Sequence, residues 1–201
     1  MKSRYLLVGT IATALALFAW QTVSNVALPW HAATMHPFAD STAAVTAIQE
    51  QAPENRVYVA DKGVFLATSF RPDGANRSTQ LAGMMGSMLL LDVGVALVLA
   101  FAVLRLPVGR AVDAGITLAL AALGVAMIKH FSEAIWYGFP IDYSVVNVVD
   151  LTVNGLIAGL VLGAMRNRYA PAAAAVNAEA PGVRAGGGLP AAGVREPART
   201  V

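Results

Sequence analysis

Residues 81–104 read LAGMMGSMLLLDVGVALVLAFAVL, and this stretch decides the fold class. It contains a single charged side chain, Asp92. A helix crosses the hydrocarbon core of a bilayer with about 20 mostly apolar residues. The stretch therefore predicts a membrane-spanning helix.

Three other stretches have the same length and character: residues 5 to about 29, 113–136 and 144–165. The first follows two basic residues, as the apolar part of a signal peptide would. Its apolar run is long, however, and Asn25 stands where cleavage after Ala27 would need a small residue. We therefore predict an uncleaved first helix and an all-α bundle of four transmembrane helices.

The composition agrees with a membrane protein. Hydrophobic residues make up 57% of the 201 residues and charged residues 13%, with a mean hydropathy of +0.60. A soluble domain has about 25% charged residues, and a disordered chain is poor in apolar ones. The formal charge of +2 comes from scattered basic residues, which argues against nucleic acid as a partner. The absence of cysteine excludes disulfides and thiolate ligands.

Four regions follow from this layout. Residues 1–30 form the N-terminal end and first helix, 31–80 a loop or cap, 81–166 the other three helices, and 167–201 a tail rich in Ala, Pro and Gly. A tail of that composition buries too little apolar surface to fold, so we expect it to be disordered.

Basic residues predict the orientation. Six of them fall on one side of the membrane in this layout: Lys2, Arg4, Arg105, Arg110, Arg166 and Arg168. The positive-inside rule then places both termini in the cytoplasm and residues 31–80 outside it. Because the Ala-rich composition is typical of a bacterium, we expect the bacterial cytoplasmic (inner) membrane.

The extracytoplasmic loop has local structure of its own. Asp40 or Ser41 is suited to cap a short helix over STAAVTAIQEQ, which Pro53 would end. RVYVA and VFLATSF flank a turn at residues 61–63 and predict a β-hairpin. Since a lone hairpin is marginal in water, we expect it to pack on the helix ends.

The fourth helix carries glycines at four-residue spacing, Gly155, Gly159 and Gly163. Small residues in one stripe let a second helix approach closely. The stripe fits either a dimer interface or packing inside the bundle, and we favour the second.

Polar residues on the same helix, Asn147, Asp150 and Asn154, form a neighbouring stripe that should face the bundle interior. Lys129 on the third helix lies at a similar depth to Asp150, so we predict an ion pair between them. Lys129 is also spaced to pair with Glu133 along its own helix.

Asp92 has no basic residue at its depth. It fits either a proton-relay carboxylate or a protonated acid bonded to Asn154, and we favour the second interpretation.

Histidine and methionine gather at the outer boundary, and six of them are candidate metal ligands: His31, His36, His130, Met35, Met84 and Met88. Imidazole and thioether together suit copper, and imidazole also suits haem iron. Both residue types are also common as interfacial and packing residues. We predict no cofactor, with copper or haem as the alternative.

Two segments resemble a family of small, uncharacterised four-helix bacterial inner-membrane proteins. They are Leu28-Pro29-Trp30-His31 and Trp136 to Tyr143 (WYGFPIDY), and Asp150 follows the second. The resemblance covers residues 5–165. It implies a topology and no particular activity.

No hydrolase elbow or phosphate-binding loop is present in the sequence. We therefore predict a non-enzymatic accessory or binding protein that acts at the extracytoplasmic face, on another membrane protein or on itself. The first alternative is a metal- or haem-binding electron-transfer protein. The second is a small proton-coupled transporter subunit using Asp92 and Asp150.

Overall fold

A computed structural model describes residues 2–60, 64–69 and 77–170. Its helices are α1 (Lys2–Thr22), α2 (Trp30–Ala33), α3 (Ser41–Gln51), α4 (Arg77–Arg105), α5 (Ala111–Tyr137) and α6 (Ile141–Tyr169), and a π-helical turn, Val23–Ala27, follows α1. Strands β1 (Val57–Ala60) and β2 (Val64–Ala67) pair antiparallel. Most of the described chain is helical.

Four helices are long and apolar enough to cross a membrane: Lys2–Ala27, Ser78–Arg105, Ala111–Tyr137 and Ile141–Tyr169. They confirm the four predicted apolar helices. Each of the last three runs a few residues beyond the predicted span, because polar end residues continue the helix past its apolar part. In α6, for instance, Asp142 lies in the first turn and Arg168 in the last, where each complements the helix dipole.

Helices α5 and α6 form the tightest seam of the bundle, and the glycine stripe of α6 lies in it. A Cβ atom added at Gly155 would lie 2.6 Å from the carbonyl oxygen of Leu118. One added at Gly159 would collide with the carbonyl oxygen of Ala114, and one at Gly163 with the first turn of α5. The stripe therefore faces α5 within the same chain, and glycine is what allows this approach.

Helix α1 packs between α4 and α6. The hydroxyl of Tyr5 donates to the carbonyl oxygen of Ala100 (3.3 Å), and the buried Leu17, Val103 and Leu162 belong to the same core cluster. Helices α4 and α5 follow one another in the chain but make little contact. A gap between α4 and α5 results.

One end of the bundle is basic. The N-termini of α1 and α5 meet the C-termini of α4 and α6 there. Arg166 is 9% exposed and donates from Nη1 to the carbonyl oxygens of Val103 (3.2 Å), Leu106 (2.8 Å) and Val108 (3.0 Å). Val103 lies in the last turn of α4, and Leu106 and Val108 follow its end, so the guanidinium acts as a C-terminal cap of this helix.

The opposite end carries α3 and the strand pair. The Asp40 carboxylate accepts from the amides of Thr42 (2.9 Å) and Ala43 (3.0 Å) and so caps α3 where the sequence predicts a helix. Phe65 of β2 lies against Tyr137 and Phe139, with ring centroids 4.6 and 6.3 Å away.

Gly138 ends α5 with a φ of 71°, a conformation that favours glycine, and so turns the chain toward Phe139. The hairpin turn predicted at residues 61–63 lies outside the described residues. Of the tail predicted at residues 167–201, residues 167–169 instead continue α6, and the part beyond residue 170 lies outside the described residues.

Candidate functional site: a polar cluster at the end of α1

The π-helical turn Val23–Ala27 shapes the end of α1. The amide of Leu28 donates to the carbonyl oxygen of Val23 (3.0 Å), five residues back, so one extra residue fits into the turn. Turns of this kind are frequent at functional sites. This one places Ser24 against α6, where it is fully buried. Pro29 then starts α2, which brings Trp30 and His31 back toward the bundle.

Asp150 of α6 is the centre of the polar contacts at this end. Its Oδ1 accepts from the indole Nε1 of Trp20 (2.7 Å) and from the hydroxyl of Ser24 (2.8 Å). Its Oδ2 lies 3.4 Å from Nε2 of His31. Three side chains from the end of α1 and from α2 therefore surround one carboxylate of α6.

The partners of Asp150 also contact one another. Nε2 of His31 lies 3.2 Å from the Ser24 hydroxyl. The indole of Trp30 donates to the Ser24 carbonyl oxygen (3.0 Å) and to its hydroxyl (3.2 Å), and it packs edge-on against Trp20. We call these five residues, Trp20, Ser24, Trp30, His31 and Asp150, the Asp150 cluster.

The cluster contains the residue types of a serine-hydrolase triad, but their order differs. In a triad the serine meets Nε2 of the histidine and the aspartate meets Nδ1, so a proton passes through the ring. Here Ser24 and Asp150 both meet Nε2 of His31, and the serine hydroxyl donates directly to the carboxylate. The arrangement therefore lacks the relay through the imidazole ring that activates the serine of a triad. The cluster instead holds α2 against α6.

The predicted ion pair between Lys129 and Asp150 is wrong. Nζ of Lys129 lies 3.3 Å from Glu133, the pairing along α5 that the sequence also allows. The reason is helix rotation, because the Lys129 side chain is 58% exposed on the outside of α5 while Asp150 faces α1.

The predicted bond between Asp92 and Asn154 is also wrong. Asp92 accepts from Nε2 of Gln21 (3.1 Å), and Nδ2 of Asn154 donates to the Asp150 carbonyl oxygen one turn back (3.1 Å). Asn147 bonds in the same way to the carbonyl oxygen of Tyr143 (2.8 Å). Asp92 and Asn154 do not bond to one another although they lie at a similar depth in the bundle. Helix α1 lies between α4 and α6, and its Gln21 supplies the donor to Asp92.

The three histidines do not assemble into one group. His31 belongs to the Asp150 cluster, and Nδ1 of His130 lies 3.0 Å from Glu133, whereas His36 is exposed. The three candidate methionines are also exposed, with exposed fractions of 60% for Met35, 55% for Met84 and 36% for Met88. In the described residues, no three His, Asp or Glu side chains come together in a way that could hold a metal ion.

Sequence reasoning missed Trp20, Gln21 and Ser24, which supply donors to Asp92 and Asp150. The sequence does indicate them, since these three side chains can form hydrogen bonds and lie at the end of an otherwise apolar stretch. Such groups need partners in a low-dielectric interior.

Comparisons of the chain with models of protein families, with curated proteins and with solved structures found no match. The resemblance to small four-helix bacterial membrane proteins therefore stays a prediction.

Proposed function

We propose that this chain is a four-helix protein of the bacterial cytoplasmic membrane that serves as a non-enzymatic binding protein on its extracytoplasmic face. Both termini lie in the cytoplasm, because the basic end of the bundle carries the six Lys and Arg residues that favour that side. The Asp150 cluster then lies near the outer boundary.

The apolar surface of the cap carries this proposal. Val57 and Val59 alternate along β1 and are 61% and 74% exposed. Helix α3 has no buried residue, and Phe38 before it is 61% exposed. Apolar surface left open on a small folded cap is typical of a place where another protein binds.

The Asp150 cluster supports the same function by fixing the base of the cap. Trp30 and His31 open the loop and are held to α6 through Ser24 and Asp150. On the other side, Phe65 packs against the link between α5 and α6. A cap attached at both places presents its apolar face in a fixed orientation, which lowers the entropy lost on binding.

Topology is the first part of the test. The chain has no cysteine, so a single-cysteine variant reports one position only. Cysteine at Glu50 should react with a membrane-impermeant maleimide in intact spheroplasts, and cysteine at Arg168 should react only after lysis. The reverse pattern would contradict the orientation.

Binding is the second part. A photo-crosslinking residue at Val59 should give a discrete adduct in membranes, and one at the exposed Gln51 should give less. A Val57→Lys substitution should remove the Val59 adduct. An adduct at twice the mass of the chain assigns a second copy as the partner, and a different mass assigns another protein. Equal labelling at Val59 and Gln51, or none, would contradict a binding role for this face.

A further inference from the structure

The gap between α4 and α5 contains a cavity of about 430 Å³. Helices α1 and α6 form its floor, and α4 and α5 form its sides. Leu91 and Val125 line it while remaining 57% and 62% exposed, so it opens on the apolar flank of the bundle. Its size lies within the range of about 300–1,000 Å³ that small-molecule sites occupy.

Most of the lining is aliphatic, but three polar side chains reach the cavity from three helices: Gln21 of α1, Asp92 of α4 and Asn154 of α6. Each has one buried oxygen without a hydrogen-bond partner among the described residues, namely Oε1 of Gln21, Oδ2 of Asp92 and Oδ1 of Asn154. Asp92 is 2% exposed and Asn154 9%.

The amide orientations do not remove this shortage of donors. Nε2 of Gln21 already donates to Oδ1 of Asp92 (3.1 Å), and Nδ2 of Asn154 to the Asp150 carbonyl oxygen (3.1 Å). Turning either amide would exchange its oxygen and nitrogen and so break an existing bond. Both amide nitrogens are therefore already in use, and the three oxygens lack donors among the described residues.

Buried acceptors without partners are rare, because each loses its bonds to water and gains none in return. Gln21, Asp92 and Asn154 each have such an acceptor and line one apolar cavity, which suits a molecule that carries hydrogen-bond donors. A positive charge on that molecule would further compensate Asp92, for which the described residues provide no basic partner.

We propose that this cavity binds a lipophilic molecule whose polar head carries hydrogen-bond donors, an ammonium or a hydroxyl group, with the head at Gln21, Asp92 and Asn154. The aliphatic part lies between α4 and α5 and leaves through the opening at Leu91 and Val125. The site is separate from the cap, and it does not depend on the function proposed for the cap.

The test uses the full chain in nanodiscs of phosphatidylcholine, a lipid whose head group has no N–H donor. Three photoreactive probes carry a diazirine on the same dodecyl chain: a primary amine, an alcohol and a methyl ether. The amine should label peptides of α4 and α5 that line the cavity, and excess dodecylamine should abolish this labelling. The ether, which lacks a donor, should label them at least about tenfold less, as the loss of a bond to a charged group implies.

Variants sharpen the result. Asp92→Leu should lower amine labelling about tenfold and leave ether labelling unchanged. Asp142→Asn removes an exposed acid from α6 and should change neither. If Asp92→Leu does not fold, the three probes on the unaltered chain still decide the matter.

Two results would overturn the proposal: equal labelling by amine and ether, or labelling spread evenly over the outer faces of the helices. The source of the ligand is a further arm of the experiment. Displacement of the amine by phosphatidylethanolamine assigns a lipid head group, and displacement by dodecylamine alone assigns a free small molecule.

Discussion

Asp150 and Asp92 are both carboxylates on long apolar helices, yet their surroundings differ. Asp150 is contacted by Trp20, Ser24 and His31. Asp92 receives one donor, from Gln21, its second oxygen has no partner among the described residues, and the residue lines a cavity. The difference indicates two roles for one residue type. We assign Asp150, both of whose oxygens have partners, to stabilising the fold, and we propose Asp92 as the carboxylate that a ligand in the cavity contacts.

The position of α1 explains how the two acids come to differ. Trp20 and Gln21 are consecutive residues, so their side chains point about 100° apart around the helix. Because α1 lies between α4 and α6, Trp20 reaches Asp150 on α6 and Gln21 reaches Asp92 on α4. The π-helical turn then adds Ser24 to the side of α6 only.

Removing the Asp150 carboxylate should have the largest effect. Asp150→Ala leaves the Trp20 indole and the Ser24 hydroxyl without their acceptor in a buried place, so we expect a loss of about 3–5 kcal/mol in the free energy of unfolding. Denaturation by SDS in mixed micelles measures it. Asp142→Ala removes an exposed acid from the first turn of the same helix; it is the matched control and should cost no more than about 1 kcal/mol, the usual contribution of a charge that complements the helix dipole. Equal losses would show that the cluster has no special role.

Replacing His31 should have a smaller effect. His31→Ala removes the ring between Ser24 and Asp150 and the edge contact with Trp30, and we expect a loss of about 2 kcal/mol. His36→Ala, at an exposed position, should be neutral. A chelator should leave the unfolding midpoint of the unaltered chain unchanged. If the chelator reproduces the loss seen with His31→Ala, the metal hypothesis replaces this interpretation.

Ser24→Ala should have the smallest of the three effects, about 1 kcal/mol, because Asp150 keeps its bond from Trp20. A fluorophosphonate probe, which modifies activated serines, should leave Ser24 unmodified in the intact protein. An adduct on Ser24 would contradict the structural role and indicate a nucleophile.

The helices of this fold could be predicted from the sequence because the hydrophobic effect acts on local stretches. Long apolar runs such as 81–104 need no knowledge of neighbours, and the cap at Asp40 depends on residues two and three positions away. The spacing of Gly155, Gly159 and Gly163 likewise indicates a close helix contact.

The polar contacts could not be predicted in the same way, because they depend on which helices are neighbours and how each is rotated. Lys129 matches Asp150 in depth but points outward, and Asp92 matches Asn154 but meets Gln21 first. The turn at Val23–Ala27 also shifts Ser24 around the helix by an amount that no sequence period shows. The cavity between α4 and α5 follows from the same order of helices.

The most direct measurement compares Asp150→Asn with Asp92→Asn in one denaturation series. Asparagine at position 150 loses the charge and one acceptor beside the donors of Trp20 and Ser24, so the unfolding free energy should fall by at least about 2 kcal/mol. Asparagine at position 92 still accepts from Gln21, and its amide adds a donor at the cavity, so the change should stay within about 0.5 kcal/mol. Equal losses, or a larger loss at position 92, would contradict the division between a structural and a ligand-facing carboxylate.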